Sequence, residues 1–397
     1  MSAPINKTKY TKRAGWTALF NAHMVMSILL QILVLIVLFF AIHWITHNTI
    51  TNLKASGIAS GFEFLDKRAG FNQPSSIIQY DDNATNGKVI FASIVNLMFI
   101  AVLCLITATI LGLIIGVARL SKNWLIAKLA LCYVEFFRNI PPLVLLFFWS
   151  IGVMQILPSA RQSLIWGGII INIRGFYFPQ PIWERSMSVA IGLTVFALMI
   201  ALCLFLWMKY KQRDGERTKI NGWICIFIAI ALPVISFSIF GRPKAWDIPV
   251  LQGFNYKGGF YVSPEFVALY LALSIYTAAL IAETIRAGLQ GVDRGVKEAG
   301  MSLGLSNRLI MRLITLPLAM RIIIPPLSSQ YMNLIKNTSL GAAVGYSELM
   351  MVSSTIIEKT GQSIELAVIW IVVYLGLSLF VSILMNVFNK YMAVLER

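Results

Sequence analysis

Charge is scarce in this chain. Asp, Glu, Lys and Arg make up 13% of its 397 residues, about half of the roughly one-quarter usual in soluble domains. That shortage excludes a soluble globular protein. With 58% hydrophobic residues and a mean hydropathy of +0.75, the chain reads as an integral membrane protein. Acidic residues are the rarer kind, 17 against 33 Lys and Arg, and the formal net charge is +16. The basic residues are scattered between apolar runs and form no single basic face, so nucleic-acid binding is excluded. Cysteine is sparse. Cys104, Cys132, Cys203 and Cys225 lie in or beside apolar segments without C-x-x-C spacing, the pattern of buried thiols and not of a disulfide or metal framework. No G-x-x-x-x-G-K-[ST] pattern occurs, so any ATP that drives this protein is bound by another chain. His23, His43 and His47 cluster about one apolar run, which leaves nothing to relay protons across a membrane. No internal repeat is visible.

What the chain has is long apolar runs. A bilayer core takes roughly 20 apolar residues of helix. Eight segments qualify, about 25–46, 89–118, 124–156, 187–208, 222–241, 262–286, 322–347 and 363–390. The expected fold is an all-α polytopic membrane protein. Met26 to Ile42 is longer than the ~7–15-residue core of a signal peptide, so the first run is kept as a span. The third carries Pro141 and Pro142 and should be kinked or partly re-entrant. Trp44, Trp124, Trp207 and Trp223 fall where an interfacial belt would place them.

The distribution of Lys and Arg orients the chain. With 1–24 in the cytoplasm, the segments on that side hold 20 of the 33 basic residues, among them Lys7, Lys9, Lys12, Arg13, Arg217, Lys219 and Arg397. The reading is both termini inside, the 287–321 loop inside, and 47–88 an external loop. Region 157–261 contains two spans joined by a hydrophilic hinge, Lys209 to Lys219. It lies between 89–156 and 262–390, and 391–397 is the cytoplasmic end.

The 290–317 loop carries Glu298-Ala299-Gly300-Met301-Ser302-Leu303-Gly304 and then, after nine residues, Ile314-Thr315-Leu316-Pro317. Val296 to Leu303 are helix formers, and Gly304 stands where a left-handed C-terminal cap is wanted. Ser306 or Asn307 can cap a second helix through Ile314, and Pro317 makes a stop or kink there. Two short helices about a glycine give an L-shaped knob able to seat in a partner's cleft. The Glu298 carboxylate near its tip could bond that partner.

This E-A-x-x-x-x-G, I-x-L-P pattern resembles the EAA loop of ABC importer permeases. Other stretches resemble the polar amino acid importers of the histidine/glutamate/glutamine group: Gly112 and Gly116 through Ser121, Glu135 to Leu143, Ala282 to Gly288, Lys336-Asn337-Thr338-Ser339-Leu340, and Thr360-Gly361-Gln362. They span residues 90–390. The resemblance implies a core of about five spans, to which this chain adds three, as in the longer general L-amino-acid permease subunits. It implies a bacterial inner-membrane subunit that forms the pathway and is not itself an enzyme. The partners implied are cytoplasmic ATPases holding ATP and magnesium, a second and non-identical permease, and a periplasmic amino-acid-binding protein. Coupling to the ATPases falls on Glu298, Ala299, Gly300, Gly304, Leu316 and Pro317. Gly300 replaces the family's second alanine and should loosen the knob helix by up to ~1 kcal/mol.

Charged and polar residues at membrane depth are functional candidates. Glu135 and Arg138, at i and i+3, can pair with each other or contact substrate. Arg138 and Asn139 precede Pro141-Pro142, where a broken helix could expose backbone groups to an amino acid. Lys336, Asn337, Thr338 and Ser339 could supply a cationic, N–H-rich pocket, and Glu283 an acidic one. Arg286 reads as a loop anchor. Two other functions compete: an ion-coupled secondary transporter, which requires matched repeats and paired broken helices, and a membrane sensor or scaffold carrying the knob alone.

Overall fold

The computed structural model describes residues 22–55, 61–73, 75–213 and 222–394. The basic residues Lys7, Lys9, Lys12, Arg13, Arg217, Lys219 and Arg397 lie outside them. The long apolar runs are helices: α1 (Ala22–Ala55), α2 (Asn86–Ala118), α3 (Trp124–Arg138), α4 (Pro142–Phe147), α5 (Arg185–Arg213), α6 (Gly222–Ile239) and α7 (Pro264–Gln290). Then come α8 (Arg294–Ser302), α9 (Asn307–Ile310), α10 (Leu316–Asn337), α11 (Leu349–Thr360) and α12 (Ser363–Val394). Six of the described helical stretches are long and apolar enough to cross a membrane, and seven if a bent pair is one span. The bent pair is Trp124–Arg138 with Pro142–Ile156, at 101°. Pro141 and Pro142 cause the break, since neither can donate to a preceding carbonyl. The short α6 makes an eighth apolar segment.

The centre of the molecule is the α2–α7 pair. Thr85 caps α2 by accepting from the Lys88 N–H, and Ser263 caps α7 by accepting from that of Phe266, with Pro264 in the first turn. Both helices are apolar around most of their circumference, so hydropathy alone does not fix which faces meet. Glycine does. A Cβ on Gly112 would lie 2.6 Å from Ile281, and one on Gly116 2.8 Å from the Ala282 carbonyl oxygen. Gly112 and Gly116 are one turn apart and face Ala278 and Ala282. Small residues at this spacing let two backbones approach where water supplies no hydrophobic drive. Gly288 does the same for α7 against Ile323 of α10. Around these contacts lies a core of Ile100, Cys104, Ala108, Leu145, Leu273, Ile281 and Leu334, contributed by α2, α4, α7 and α10.

A second apolar cluster joins the 61–85 segment to α2, α11 and α12 through Phe64, Val89, Leu97, Leu349, Ile356 and Leu366. Helix α11, short and capped by Glu348, is not foreshadowed as a separate element by the apolar runs. Neither are the strands flanking α5 and α6. Strands β1 (Leu164–Trp166), β2 (Ile169–Asn172), β3 (Gly175–Phe178) and β8 (Phe260–Val262) form an antiparallel sheet in the order β1-β2-β3-β8. Two two-stranded pairs, β4 (Gln180–Pro181) with β5 (Trp246–Asp247) and β6 (Val250–Gln252) with β7 (Asn255–Lys257), accompany it. Strand β8 leads directly into the start of α7.

The three added helices stand apart from the core. Every described residue of α1 from Met26 to His47 is exposed. Helices α5 and α6 pack on each other through Ala190, Ala197 and Ala201, with Thr194 and Ser236 sharing a 3.1 Å hydrogen bond. Extra methylenes at a close-packed interface cost about 1–3 kcal/mol. Gly116→Val should therefore lower the thermal stability of the solubilised protein by that order, while Gly192→Val, with open space about its Cβ, should leave the unfolding midpoint unchanged.

Candidate functional site

The knob is built as the spacing requires, with one difference. Asp293 caps α8 by accepting from the Gly295 N–H at 2.8 Å. At the other end Gly304 takes φ +76°. The Leu305 N–H bonds to the Gly300 carbonyl at 3.2 Å and the Gly304 N–H to that of Met301 at 2.9 Å. Those two bonds are the Schellman closure, which consumes the free carbonyls of the last turn. Glu298 and Ala299 are exposed, and so are the side chains of Met301, Leu303, Leu309 and Leu313. The knob thus offers a carboxylate and apolar groups, alongside the basic Arg294, Lys297, Arg308 and Arg312. Gly300 is buried, where a Cβ would stand 2.9 Å from the Ile314 Cδ1 and 3.2 Å from Ile310. Its loss of helix propensity is tied to close seating of α8 on the second helix.

The second helix does not stop at Pro317. Asn307 to Ile310 pass through a π turn, Met311–Thr315, into α10, where Pro317 occupies the first turn. The helical stretch runs from Asn307 to Val344. The missing N–H of Pro317 falls where the wide turn already breaks the regular bonding, so the helix continues. Ser306 holds the capping position without a side-chain bond. Leu316 is 46% exposed.

Behind the knob lies an ionic lock. Glu283 of α7 accepts from Arg119, at the end of α2, and from the Nε of Arg286 at 3.0 Å. Arg119 is 10% exposed and Glu283 26%. The lock ties α2 to α7 near the end of α7, just before α8 begins. Glu135 and Arg138 stand 3.7 Å apart on an exposed face of α3, and the Asn139 amide donates to the Glu135 carbonyl at 2.6 Å.

A polar cavity of about 240 Å³ lies where the broken helix meets α7 and α10. Pro142, Tyr276, Thr277, Gln330, Asn333 and Asn337 line it. Of the candidates read from the sequence, Asn337 alone is among its walls. Lys336 is exposed and makes no ion pair among the described residues. The Thr338 hydroxyl is fully buried and spent on the Ile335 carbonyl, and that of Ser339 on the carbonyl of Lys336. These hydroxyls close a 3₁₀ turn, Thr338–Val344. Gln330, Asn333, Tyr276 and Thr277 were missed. The signal was available: Gln330, Asn333 and Asn337 recur at i, i+3 and i+7 and mark one polar face on an apolar helix.

Glu348 was missed as well. It is fully buried beyond the end of the α10 stretch. Its carboxylate accepts from the N–H groups of Met350 and Met351 and from the Tyr374 hydroxyl at 3.0 Å. Burial raises its pKa from the ordinary 4.5 to about 7. Beside it, Asn96 of α2 binds the Ser347 carbonyl at 2.8 Å and the Ile77 N–H at 3.0 Å. Lys359 donates to the carbonyls of Ala69 and Gly70. The end of the molecule opposite the knob is therefore cross-braced by polar bonds.

Residues 189–394 match the family described as binding-protein-dependent transport system inner membrane component, and the chain belongs to that family. It is a multi-pass membrane protein of the transporter class. Over nearly its whole length it is similar to named permeases. It is 44% identical to the general L-amino acid transport system permease protein AapQ of Rhizobium johnstonii, over 94% of this chain and 93% of that one. It is 42% identical to the putative amino-acid ABC transporter permease protein YhdX of Escherichia coli, over 93% and 94%. It is 33% identical to the glutamate/glutamine/aspartate/asparagine transport system permease protein BztB of Rhodobacter capsulatus, over 94% of each.

Removing one partner of a fully buried ion pair costs about 3–5 kcal/mol, and this partly exposed lock should give on the order of 2 kcal/mol. Glu283→Ala should lower thermal stability to that extent. A residue serving only substrate would lose uptake and keep its melting point. For Glu348, the folded-state pKa lies above the unfolded one. Its contribution is complete below pH ~4.5 and is lost as pH rises through ~7. The stability of Glu348→Gln relative to the native chain should therefore rise between pH ~5 and ~8. A difference that is flat with pH would remove Glu348 as a titrating group.

Proposed function

We propose that this chain is the pathway-forming permease subunit of an ATP-driven importer of amino acids in the bacterial inner membrane. The knob carries this reading. It presents a capped, exposed helix whose base is packed on the α10 stretch and whose flank is locked to α2, so force on it reaches the polar cavity without passing through loose chain. Cytoplasmic ATPase subunits, holding ATP and magnesium, dock on Glu298, Ala299 and the apolar groups around them. Gly300 and Gly304 shape the elbow, and Leu316 and Pro317 hand it to the span.

Orientation follows from charge: 20 of the 33 basic residues sit on the knob side when both termini are cytoplasmic. A periplasmic binding protein delivers the amino acid at the opposite face. A second, non-identical permease completes the pathway, and the exposed α1 and the α5–α6 pair provide surfaces for it or for lipid. Within the chain, the substrate passes through the 240 Å³ cavity. There the amides of Gln330, Asn333 and Asn337 and the hydroxyls of Tyr276 and Thr277 can bind both carboxylate and ammonium groups. The chain supplies no catalytic group; hydrolysis belongs to the ATPases.

The test is a pair of variants in proteoliposomes containing the whole complex. Glu298→Lys should weaken ATPase association and reduce uptake at least tenfold, equivalent to ~1.4 kcal/mol or more, with membrane insertion intact. Asn337→Leu should reduce uptake and leave ATPase binding unchanged. Normal uptake by Glu298→Lys would overturn the coupling role.

A further inference from the structure

A second cavity, of about 540 Å³, opens at the end of the molecule opposite the knob. That volume lies within the ~300–1,000 Å³ of small-molecule sites. Its floor is aromatic. The rings of Phe99 and Phe266 lie 5.8 Å apart and 28° from parallel, and Tyr346 meets Phe266 at 5.7 Å. Its rim is polar. Gln79 comes from the 61–85 segment and Gln180 from β4, and neither side-chain amide has a hydrogen-bond partner among the described residues. Among the described residues, no charged side chain lines it.

This cavity is aligned with the inner one. Phe266, Tyr270, Leu273, Thr277 and Leu280 recur at alternating steps of four and three along α7, which places them on one face. The stripe starts at the floor of the outer cavity and ends in the wall of the inner one. Eleven residues of helix, from Phe266 to Thr277, separate the two by about 16 Å. Between them Tyr270 stacks on Phe266 and bonds the Thr107 hydroxyl, and Leu273 is buried.

We infer that the outer cavity is a waiting site for a free zwitterionic amino acid, separate from the inner cavity. The α-ammonium lies against the open face of Phe99, a ring 46% exposed whose negative quadrupole attracts a cation and which Phe266 holds in place by stacking. The α-carboxylate accepts from the amides of Gln79 and Gln180. Because the lining carries no charge, the site holds the backbone part of the ligand and is indifferent to the sign of the side chain. This inference rests on the amino-acid reading of the protein.

The experiment places a cysteine in the lining by Ile77→Cys, at an exposed position whose side chain binds nothing in the proposal, in the complete complex in nanodiscs without ATP or binding protein. The rate of its modification by an impermeant thiol reagent is read. L-glutamine, L-arginine and L-glutamate should each slow modification when saturating, because the bound ligand shields the thiol from the reagent. N-acetyl-L-glutamine amide, which lacks both backbone charges, should not. Phe266→Leu should abolish the protection, Phe266→Tyr should retain it, and Asn337→Leu should leave it intact. Protection that is absent, that the acetylated amide also gives, or that follows Asn337 and not Phe266 would overturn the inference. ATP-driven uptake of L-glutamine by the same Ile77→Cys complex keeps the two claims apart. Uptake without protection overturns the waiting site alone. Absence of ATP-driven uptake in the native complex overturns the parent reading, and the waiting site with it.

Discussion

The close approach of α2 and α7 is the constraint on which the rest of the structure depends. Gly112 and Gly116 on one helix and Ala278 and Ala282 on the other bring two backbones to a distance no larger side chain permits. In a lipid medium, where apolar surface gains little by leaving lipid, such fit is the main source of helix association. Once α7 is fixed, both ends of the transport apparatus are placed. Its first turn carries the floor of the outer cavity, its middle lines the inner one, and its last turns bear Glu283, Arg286 and the root of α8.

Two kinds of polar connection divide the molecule. On the knob side the bonds are ionic and few, centred on Glu283 between Arg119 and Arg286. They lash the end of α2 to the last turns of α7, which lead into α8. On the opposite side the bonds are many and mostly neutral, running through Asn96, Ser347 and Gln73, with the Lys359 ammonium on the carbonyls at Ala69 and Gly70. A stiff brace at one face and a single hard point of attachment at the other suit a body that rocks as a unit. The π turn at Met311–Thr315 sits between knob and span, where the helix bonding is already irregular.

Much of the helical frame was legible, because an apolar run of span length can satisfy its backbone in lipid only by coiling into a helix. The break at Pro141-Pro142 and the elbow at Gly304 were legible for a local reason: each depends on the backbone chemistry of one residue type. The strands about α5 and α6 were not. They are two to four residues long, and Ile169-Ile170-Ile171 reads equally as helix or strand. Helix α11 was hidden because its capping Glu348 looks like an ordinary acidic residue until its burial is known. The lining of the inner cavity was the least legible. Charge drew attention to Glu283 and Lys336, yet one is consumed by arginines and the other is exposed. The cavity is lined by neutral amides and hydroxyls, whose helical spacing was the better guide.

The central claim is mechanical: nucleotide-dependent force on the elbow at Glu298–Gly304 changes which side of the membrane the inner cavity faces. Sidedness of labelling at Asn333→Cys tests it directly, in sealed vesicles carrying the complete complex with and without trapped nucleotide. The account predicts that trapping moves the reactive cysteine from one compartment to the other, and that Glu298→Lys abolishes the change. Labelling from the same side in both states would contradict it.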